Sequence, residues 1–308
     1  MSTLWDLKSK RLRVAERLAG IWRLAGHVAN YGLLSINRLR FHLAFKNKPA
    51  DGEYCNSKRI HLFKLPATDH VHRPYLVLIR CGASHGLVDD GSDRNFDIAL
   101  NLYAPPDQHA SKACEYAYSG GINKYKAAKQ FLNGTSLDRF RGVMLLDDDL
   151  EISYSQLSRF LDYCWSNGFA LAQPSLTLDS SWSHKDLLNV SSSGWRSVRA
   201  VEVMCPYFSS SALRLALRTF DLSYSTWGLD YVWPRIISDS PVVVDAFTIR
   251  HTKSPGTYDG AFYRYLRGIG CSPQREAARL QRISNRRLHG HGLDRLRPRV
   301  LQSRLIAD

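Results

Sequence analysis

From about residue 60 to residue 250, short apolar runs rich in β-branched and aromatic residues alternate with helix-length segments. The runs are Tyr75–Cys81 and residues 96–103, 143–146, 169–172, 201–204 and 242–249. The segments with helical character are residues 124–132, 155–166, 209–217 and 230–238. Such alternation predicts an α/β fold in which helices cover both faces of a mixed, mainly parallel sheet.

The positive charge of the chain is concentrated at its two ends. The formal net charge is +14, from 42 Lys and Arg against 28 Asp and Glu. Residues 1–50 and residues 264–308 each carry +8, which leaves −2 on residues 51–263. A basic balance of this size favours nucleic acid, an anionic membrane surface or a polyanionic substrate as partner. The arginine-rich ends lack the interleaved aromatics of single-strand binders, so nucleic acid is not the expected partner.

This distribution divides the chain into three predicted regions. Residues 1–55 form a basic extension with helical spacing of apolar residues, which fits a helix on a membrane surface or a helix packed on the protein's own core. Residues 56–263 form the α/β domain. Residues 264–308 form an arginine-rich, partly helical extension.

The sequence also bears on the compartment. Arginines interrupt every apolar stretch of the N-terminal region, so neither a membrane-spanning helix nor a secretory signal is expected. Six cysteines occur singly along the chain, which favours reduced thiols over a disulfide framework. We therefore expect a cytoplasmic protein, peripheral on the cytoplasmic face of the membrane.

Three aspartates, Asp147, Asp148 and Asp149, follow the run at residues 143–146. In α/β sheets, chemistry gathers where strands end. Adjacent carboxylates repel one another, and a hard divalent cation such as Mg²⁺ or Mn²⁺ relieves that repulsion. A solvated acidic turn without an ion fits the spacing equally well.

A second polar cluster follows the run at residues 242–249. It contains Arg250, His251 and Lys253. A neutral imidazole could complete a metal site with two aspartates, and the basic side chains could meet phosphate oxygens. A single histidine at a strand end is more often structural, but together with the aspartates it favours a metal that bridges a diphosphate.

A third feature is the segment around Asp230, in which Trp227 and Gly228 precede Leu229 and the acid. One interpretation is a helix cap followed by core aromatics. The other is a general base that takes a proton from an acceptor hydroxyl. Spacing alone does not separate them.

Taken in order, these segments resemble one family. The stretches are residues 94–103, 146–150, 171–175, 201–209, 227–230 and 244–252. They are similar to a widespread bacterial and plant family of unknown function that itself resembles nucleotide-sugar glycosyltransferases of the GT-A fold, a Rossmann-like architecture. The resemblance runs from about residue 76 to residue 263.

The resemblance implies a role for each matching position. It implies a DXD-type metal motif at Asp147 and Asp149, with Asp149 the more direct ligand, and His251 as the third ligand of Mn²⁺ or Mg²⁺. Asp230 would be the base of an inverting transfer. The remaining implied contacts fall into two groups. Nucleotide or phosphate contacts are Arg80, Gly82, Asp97, Lys124, Lys129, Asp148 and Lys253; acceptor-side residues are His184, Glu202 and Trp227.

The expected function is metal-dependent transfer of a sugar from a nucleoside diphosphate-sugar, with UDP favoured, to a glycan or lipid-linked acceptor in surface polysaccharide synthesis. The alternatives are a glycoside hydrolase with two carboxylates and no metal, a non-catalytic protein that keeps the nucleotide-sugar fold, and a protein that binds nucleic acid or an anionic surface.

Overall fold

The computed structural model describes residues 58–66, 69–82, 84–103, 114–190, 194–253 and 260–286. The predicted extension at residues 1–55 and the last part of the C-terminal one, residues 287–308, lie outside these ranges. The predicted region boundaries therefore stay predictions. Within the described residues, no helix is both long enough and apolar enough to cross a membrane.

The described residues form strands and helices in alternation. The strands are β1 (His61–Lys64), β2 (Tyr75–Cys81), β3 (Leu87–Val88), β4 (Phe96–Leu102), β5 (Tyr116–Ser119), β6 (Gly142–Asp147), β7 (Leu150–Ser153), β8 (Leu171–Leu176), β9 (Arg196–Ser197), β10 (Tyr207–Ser209) and β11 (Val242–His251). The α-helices are α1 (Lys124–Asn133), α2 (Tyr154–Ser166), α3 (Ser210–Ala216), α4 (Leu229–Ile236), α5 (Ala261–Gly268) and α6 (Pro273–Arg286).

The sheet is mixed, in the order β1-β5-β4-β2-β6-β10-β8-β11-β7-β3, and β9 pairs with β11. Parallel pairs join β2 to β4 and β6, β4 to β5, β8 to β11 and β3 to β7. An equal number of pairs is antiparallel, so the expectation of a mainly parallel sheet is wrong. The main cause is β10, which lies antiparallel between β6 and β8.

Helices cover both faces of the sheet, as expected. Every residue of β2 is buried, and successive side chains enter two different cores. One core contains Tyr75, Val77 and the inner side of α2. The other contains Leu76, Leu78 and the inner sides of α1, α3, α4 and α6.

The strand pairing also determines where the strands end. The carboxyl ends of five strands meet at one edge of the sheet: β2, β4, β6, β8 and β11.

The run at residues 201–204 is not a strand, contrary to prediction. Its carbonyl groups bond elsewhere: that of Val203 accepts a hydrogen bond from the Tyr125 hydroxyl, and that of Met204 accepts one from the backbone N–H of Asp147. The segment therefore lies beside the end of β6 as an irregular turn. The strand begins later, at Tyr207.

The helix α6 belongs to the described core although it lies within the arginine-rich region. Leu280 of α6 is fully buried in the same core as Leu229 of α4. Among the cysteines, Cys81, Cys114, Cys164, Cys205 and Cys271 are free thiols, and Cys55 lies outside the described residues.

Candidate active site

The first of the three aspartates ends β6 and pairs with a buried lysine. Oδ1 of Asp147 lies 2.8 Å from Nζ of Lys124, at the start of α1. The same ammonium donates to the carbonyl oxygens of Val203 (2.6 Å) and Met204 (3.0 Å). Removal from bulk water raises the pKa of Asp147, the charge of Lys124 opposes that shift, and the carboxylate of Asp149 adds to it. Lys124 therefore holds the aspartate turn by its first carboxylate.

Asp148 joins three segments at the carboxyl edge of the sheet. Its Oδ2 accepts hydrogen bonds from the Tyr103 hydroxyl, just after β4, and from the backbone N–H of Gly82 at 3.3 Å. Its Oδ1 lies 3.3 Å from Nζ of Lys253. Both oxygens are thus used within the protein, and Asp148 ties the aspartate turn to the ends of β2 and β4.

The third aspartate lies beside His251 because of the short strand β7. β7 pairs antiparallel with the end of β11, with Leu150 opposite His251. The backbone N–H of Thr252 then donates to the carbonyl of Asp149 at 3.0 Å. As a result, Oδ2 of Asp149 lies 3.6 Å from Nε2 of His251.

The hydrogen bonds of His251 fit a cation between these two side chains. Nδ1 of His251 lies 2.8 Å from the carbonyl oxygen of Ser181, which requires a hydrogen on Nδ1. In the neutral ring, Nε2 then directs a lone pair at the carboxylate of Asp149. A proton or a metal ion must separate these two electron-rich atoms, and a ring held through its other N–H by a carbonyl is typical of a metal-ligating histidine. Asp149 and His251 therefore fit as ligands, whereas Asp147 is held by Lys124 behind them.

If a proton rather than a metal ion separates the two side chains, burial, hydrogen bonds and neighbouring charges shift their pKa values in opposite directions. Burial raises the pKa of Asp149, but the hydrogen bond from His251 and the charge of Lys253 outweigh it, so the pKa lies below its ordinary value. Burial lowers the pKa of His251, but the bonds to Asp149 and Ser181 outweigh it in turn, so this pKa is raised.

A strained turn presents Asp230 at the start of α4. Gly228 adopts a left-handed conformation with φ +89°, and Thr226 has φ +73°. Among the described residues, the buried Oδ1 of Asp230 has no hydrogen-bond partner. Burial raises the pKa of Asp230 to about 6, and the nearby charge of His184 lowers it only in part. Backbone hydrogen bonds to the carboxylate also lower its pKa in part. A carboxylate with one unsatisfied oxygen and a raised pKa is a candidate general base.

The turn before Asp230 is anchored by a carboxylate of α6. Glu276 accepts hydrogen bonds from the hydroxyl of Ser223 (2.9 Å) and the backbone N–H of Tyr224 (2.9 Å). It also accepts bonds from the backbone N–H (2.7 Å) and the hydroxyl (2.6 Å) of Ser225. These bonds outweigh the effect of burial and hold the pKa of Glu276 below its usual range. No motif or spacing in the sequence points to this residue.

Asp230 lines a cavity of about 710 Å³ together with Glu202 and His184. Arg199 and Arg235 line the same cavity. Among the described residues, the buried Oε2 of Glu202 has no hydrogen-bond partner. The cavity therefore offers two uncompensated carboxyl oxygens and several basic groups to a polar molecule.

Glu202 also connects the cavity with the aspartate turn. Burial raises the pKa of Glu202 to about 7; the charge of His251 lowers it, and the charges of Asp230 and Asp147 raise it. The carbonyl groups of the next two residues, Val203 and Met204, accept hydrogen bonds from Lys124, the partner of Asp147. The cavity of Asp230 and the aspartate turn are therefore joined through residues 202–204, and together they form the candidate centre.

The structure separates two predicted contacts from this centre. Asp97 is the second residue of β4 and pairs in register with Leu76, so it lies at the amino edge of the parallel strands, opposite the aspartate turn. Lys129 lies further along α1, where it pairs with Asp221. Neither is placed for the predicted nucleotide or phosphate contact.

The other predicted residues lie at the carboxyl edge of the sheet or in the turn before Asp230. Arg80 is in register with Asp147, and its guanidinium donates to Asn101 and lies over the Tyr103 ring. Gly82 reaches Asp148 as described above. Trp227 is half-buried beside Gly228, and its backbone N–H donates to the hydroxyl of Ser225 at 3.3 Å. Trp227 is not among the residues that line the cavity.

Replacing Lys124 with Met tests its role as the anchor of the aspartate turn. We expect the free energy of unfolding to fall by about 2 kcal/mol, because a buried cation with three acceptors is lost. The loss stays below that of a fully buried pair because the Asp147 side chain is 39% exposed and water can solvate it. Urea denaturation measures the change.

Lys129→Met is the matched control on the same helix. Its partner Asp221 is 56% exposed, so its loss should cost less than about 0.5 kcal/mol. Equal effects of the two substitutions would contradict a special role for Lys124.

Comparisons with known proteins show only distant likenesses. No protein-family model matches the sequence, and no curated protein is significantly similar to it. Among solved structures, the chain is similar to S. aureus TarS, with 11% identity, a TM-score of 0.42 and coverage of 66% of this chain and 41% of that one. It is also similar to GalNAc-T7, in a structure with UDP, GalNAc and Mn²⁺, with 10% identity, a TM-score of 0.39 and coverage of 66% and 49%.

Both neighbours are glycosyltransferases. The chain spans less than half the length of either one. At these values neither likeness supports a functional assignment, so we base the function on the chain's own side chains.

Proposed function

We propose that this chain is a glycosyltransferase that moves a sugar from a nucleoside diphosphate-sugar to a hydroxyl group of a glycan or lipid-linked acceptor. The observation that carries the proposal is the position of Glu202. Its side chain lines the cavity together with Asp230, and the carbonyl groups of the next two residues accept hydrogen bonds from Lys124, the partner of Asp147. The candidate base and the aspartate turn are thus joined through one segment, which favours transfer between two substrates bound side by side.

The donor side is formed by the carboxyl edge of the sheet. Asp149 and His251 would hold Mn²⁺ or Mg²⁺, which when bound supplies positive charge to stabilise the departing diphosphate. Lys253 lies 3.6 Å from Oδ2 of Asp149 and is 62% exposed, so it is free to turn toward a phosphate oxygen. Asp147, held by Lys124, and the end of β2 at Arg80 border the place for the nucleotide, for which UDP is the favoured candidate.

The acceptor side is the cavity that Asp230 lines. The ionised Oδ1 of Asp230 accepts the proton of an acceptor hydroxyl, whose oxygen attacks the anomeric carbon as the bond to the nucleotide breaks. One base acting opposite the leaving group gives inversion of configuration. Glu202 and His184 would bind other hydroxyl groups of the acceptor, since Glu202 has an unsatisfied oxygen and His184 lies at the exposed rim.

Replacing Asp149 with Ala tests the donor side. We expect Mn²⁺-dependent binding of UDP to weaken by more than about 100-fold. Loss of a residue that only supports a metal ligand typically weakens metal binding by roughly 10–100-fold, and loss of the ligand itself should cost more. The measurement is thermal stabilisation of the full chain by a panel of nucleotides and nucleotide-sugars, with and without Mn²⁺.

Asp239→Ala, in an exposed turn after α4, is the matched control and should bind as the unaltered protein does. Two results would instead support a two-carboxylate hydrolase. One is thermal stabilisation of the chain that is the same with and without Mn²⁺, and the other is sugar release that continues in EDTA without a nucleotide donor. Selective binding of nucleotide-sugar without turnover would support the non-catalytic alternative.

The basic ends lead to a separate proposal about location. Each Lys or Arg close to an anionic bilayer contributes about 1 kcal/mol, so the ends would hold the enzyme near a lipid-linked acceptor. We expect the full chain to float with anionic vesicles and not with neutral ones. Deletion of residues 1–50 should reduce flotation, and an unchanged result would refute the membrane contact while leaving the enzymatic proposal intact.

A further inference from the structure

A cluster of two histidines and an aspartate lies at the amino edge of the parallel strands, away from the candidate active site. Nε2 of His70 is 3.1 Å from Oδ1 of Asp97, and Nδ1 of His72 is 3.1 Å from Oδ2 of the same carboxylate. Asp97 and Asn101 of β4 are four residues apart, which is roughly 13 Å along a strand. Asn101 accepts a bond from Arg80, which is in register with Asp147, so the cluster and the aspartate turn are separate sites.

We propose that His70, His72 and Asp97 bind one zinc ion. Among the described residues, this is the one group of three metal-ligating side chains whose donor atoms all lie within 4.8 Å of one another. Two ligands of a tetrahedral zinc ion, each about 2.0–2.1 Å from the metal, are roughly 3.3 Å apart. Each histidine nitrogen lies close to that distance from one oxygen of Asp97, His70 from Oδ1 and His72 from Oδ2.

The orientation and exposure of the groups fit a metal site. The two imidazole rings are nearly perpendicular, at 83°, with centroids 5.0 Å apart, so they reach the carboxylate from different directions. The carboxylate is fully buried, whereas the His70 and His72 side chains are 18% and 30% exposed. An ion can therefore enter from solvent, and water can fill the fourth position.

The donor set selects the ion. Two imidazole nitrogens and one carboxylate oxygen suit zinc or a similar late transition metal, whereas Mg²⁺ and Mn²⁺ prefer sites built mainly from oxygen. The proposed ion thus differs from the one expected at Asp149, and this inference does not rest on the proposed function.

Ion pairs of Arg73 and Glu115 lie next to the proposed ligand Asp97. Nη1 of Arg73 lies 3.2 Å from Oδ1 of Asp97 and 3.1 Å from Oε1 of Glu115. Glu115 also pairs with Arg94 at 2.7 Å. Glu115 therefore neutralises part of the positive charge, and Arg73 can remain behind Asp97 as an outer partner of the ligand.

Arg139 should oppose zinc binding at His72. Its Nη1 lies 3.0 Å from Nε2 of His72, which must accept that hydrogen bond, so the ring carries its hydrogen on Nδ1, toward Asp97. Coordination through Nδ1 moves this hydrogen to Nε2, where it would face the guanidinium. Arg139 must then turn away, and it retains the Tyr116 hydroxyl, now at 3.2 Å, as another partner.

The test measures zinc in the full-length chain carrying Asp149→Ala, so that the candidate active site does not contribute. We expect the Asp149→Ala chain to bind one zinc ion. His70→Ala and His72→Ala should each weaken zinc binding by more than about 100-fold, beyond the loss expected for an outer partner. Cobalt substitution should give the visible absorption of a tetrahedral ion in the parent and not in these variants.

Two further variants make the outcome decisive. His72→Gln keeps a polar group beside Asp97 and replaces His72→Ala if that variant fails to fold. Arg139→Gln should tighten zinc binding several-fold, because the guanidinium no longer opposes a hydrogen on Nε2. Unchanged zinc content on loss of His70 and His72, or no zinc bound by the parent, would overturn the proposal and leave the histidines as hydrogen-bond partners of a buried aspartate.

Discussion

Asp230→Asn should lower kcat/KM for sugar transfer by about 10²–10⁴-fold, the usual contribution of a positioned general base. Asn has nearly the same shape, but its side chain cannot take the proton of the acceptor hydroxyl. The buried Oδ1, which has no partner among the described residues, is the atom whose basicity is lost. Initial rates with a nucleotide-sugar donor measure the effect.

The pH dependence gives a second test of the same residue. Burial raises the pKa of Asp230 to about 6, and the base is active only when ionised. The logarithm of kcat/KM should therefore rise with pH below 6 and level off above it. In Asp230→Asn the remaining activity should lack this acidic limb.

The free energy of unfolding should fall over the pH range in which the activity rises. A carboxyl group whose pKa is raised on folding favours the native state below its unfolded pKa, near 4, and loses that contribution as the pH rises through about 6. Asp230→Asn should therefore stabilise the protein at pH 8, by about 1 kcal/mol because the partly exposed side chain is screened by solvent.

Asp186→Asn is the matched control, because Asp186 also lines the cavity but is exposed. We expect less than about a threefold change in its kcat/KM, as for a carboxylate outside proton transfer. Comparable losses in the two variants would refute the assignment of Asp230 as the base.

Gly228→Ala should lower the free energy of unfolding by about 2–4 kcal/mol. Gly228 has φ +89°, where a side chain is strained. A Cβ atom there would also lie 2.9 Å from the Cα atom of Ala277 and 3.0 Å from the Cβ atom of Leu280. Helix α6 would have to move away from α4, which carries Asp230, so activity should fall as well.

Gly168→Ala separates backbone strain from crowding. Gly168 also has a left-handed φ, +68°, but a Cβ atom there would meet nothing within 4 Å. We expect it to cost only about 1 kcal/mol. Chemical denaturation of both variants measures the difference, and equal losses would show that the contact with α6 contributes nothing.

The sequence predicted best the elements that are long and strongly patterned. The bounds of β2 and α1 agree with prediction to within one residue, because their apolar periodicity is unbroken. The strands that were not predicted, β1, β3, β5, β7, β9 and β10, are all short, with two to four residues each. Pairing with neighbouring strands makes them strands, and local sequence does not encode that pairing.

The same difference between long and short elements explains which features of the candidate site could be predicted. Asp149 and His251 were predicted as site residues because each follows an apolar run that indicates a strand. Their proximity could not be predicted, because it depends on the short strand β7, which pairs with the end of β11. Asp97 is the second residue of β4 and so lies at the edge of the sheet opposite the aspartate turn, a position that does not favour its predicted nucleotide contact. Glu276 was missed because an acceptor for backbone N–H groups leaves no periodic pattern in the sequence.

The four hydrogen bonds of Glu276 make the turn before Asp230 and helix α6 one cooperative unit. The backbone N–H groups of Tyr224 and Ser225 can exchange with solvent only when the carboxylate releases them. Their amide hydrogens should therefore exchange at the rate set by the undocking of α6, and faster in Glu276→Gln. The opening of the turn before Asp230 would thus be timed by α6, a helix of the arginine-rich region that shares the core of α4.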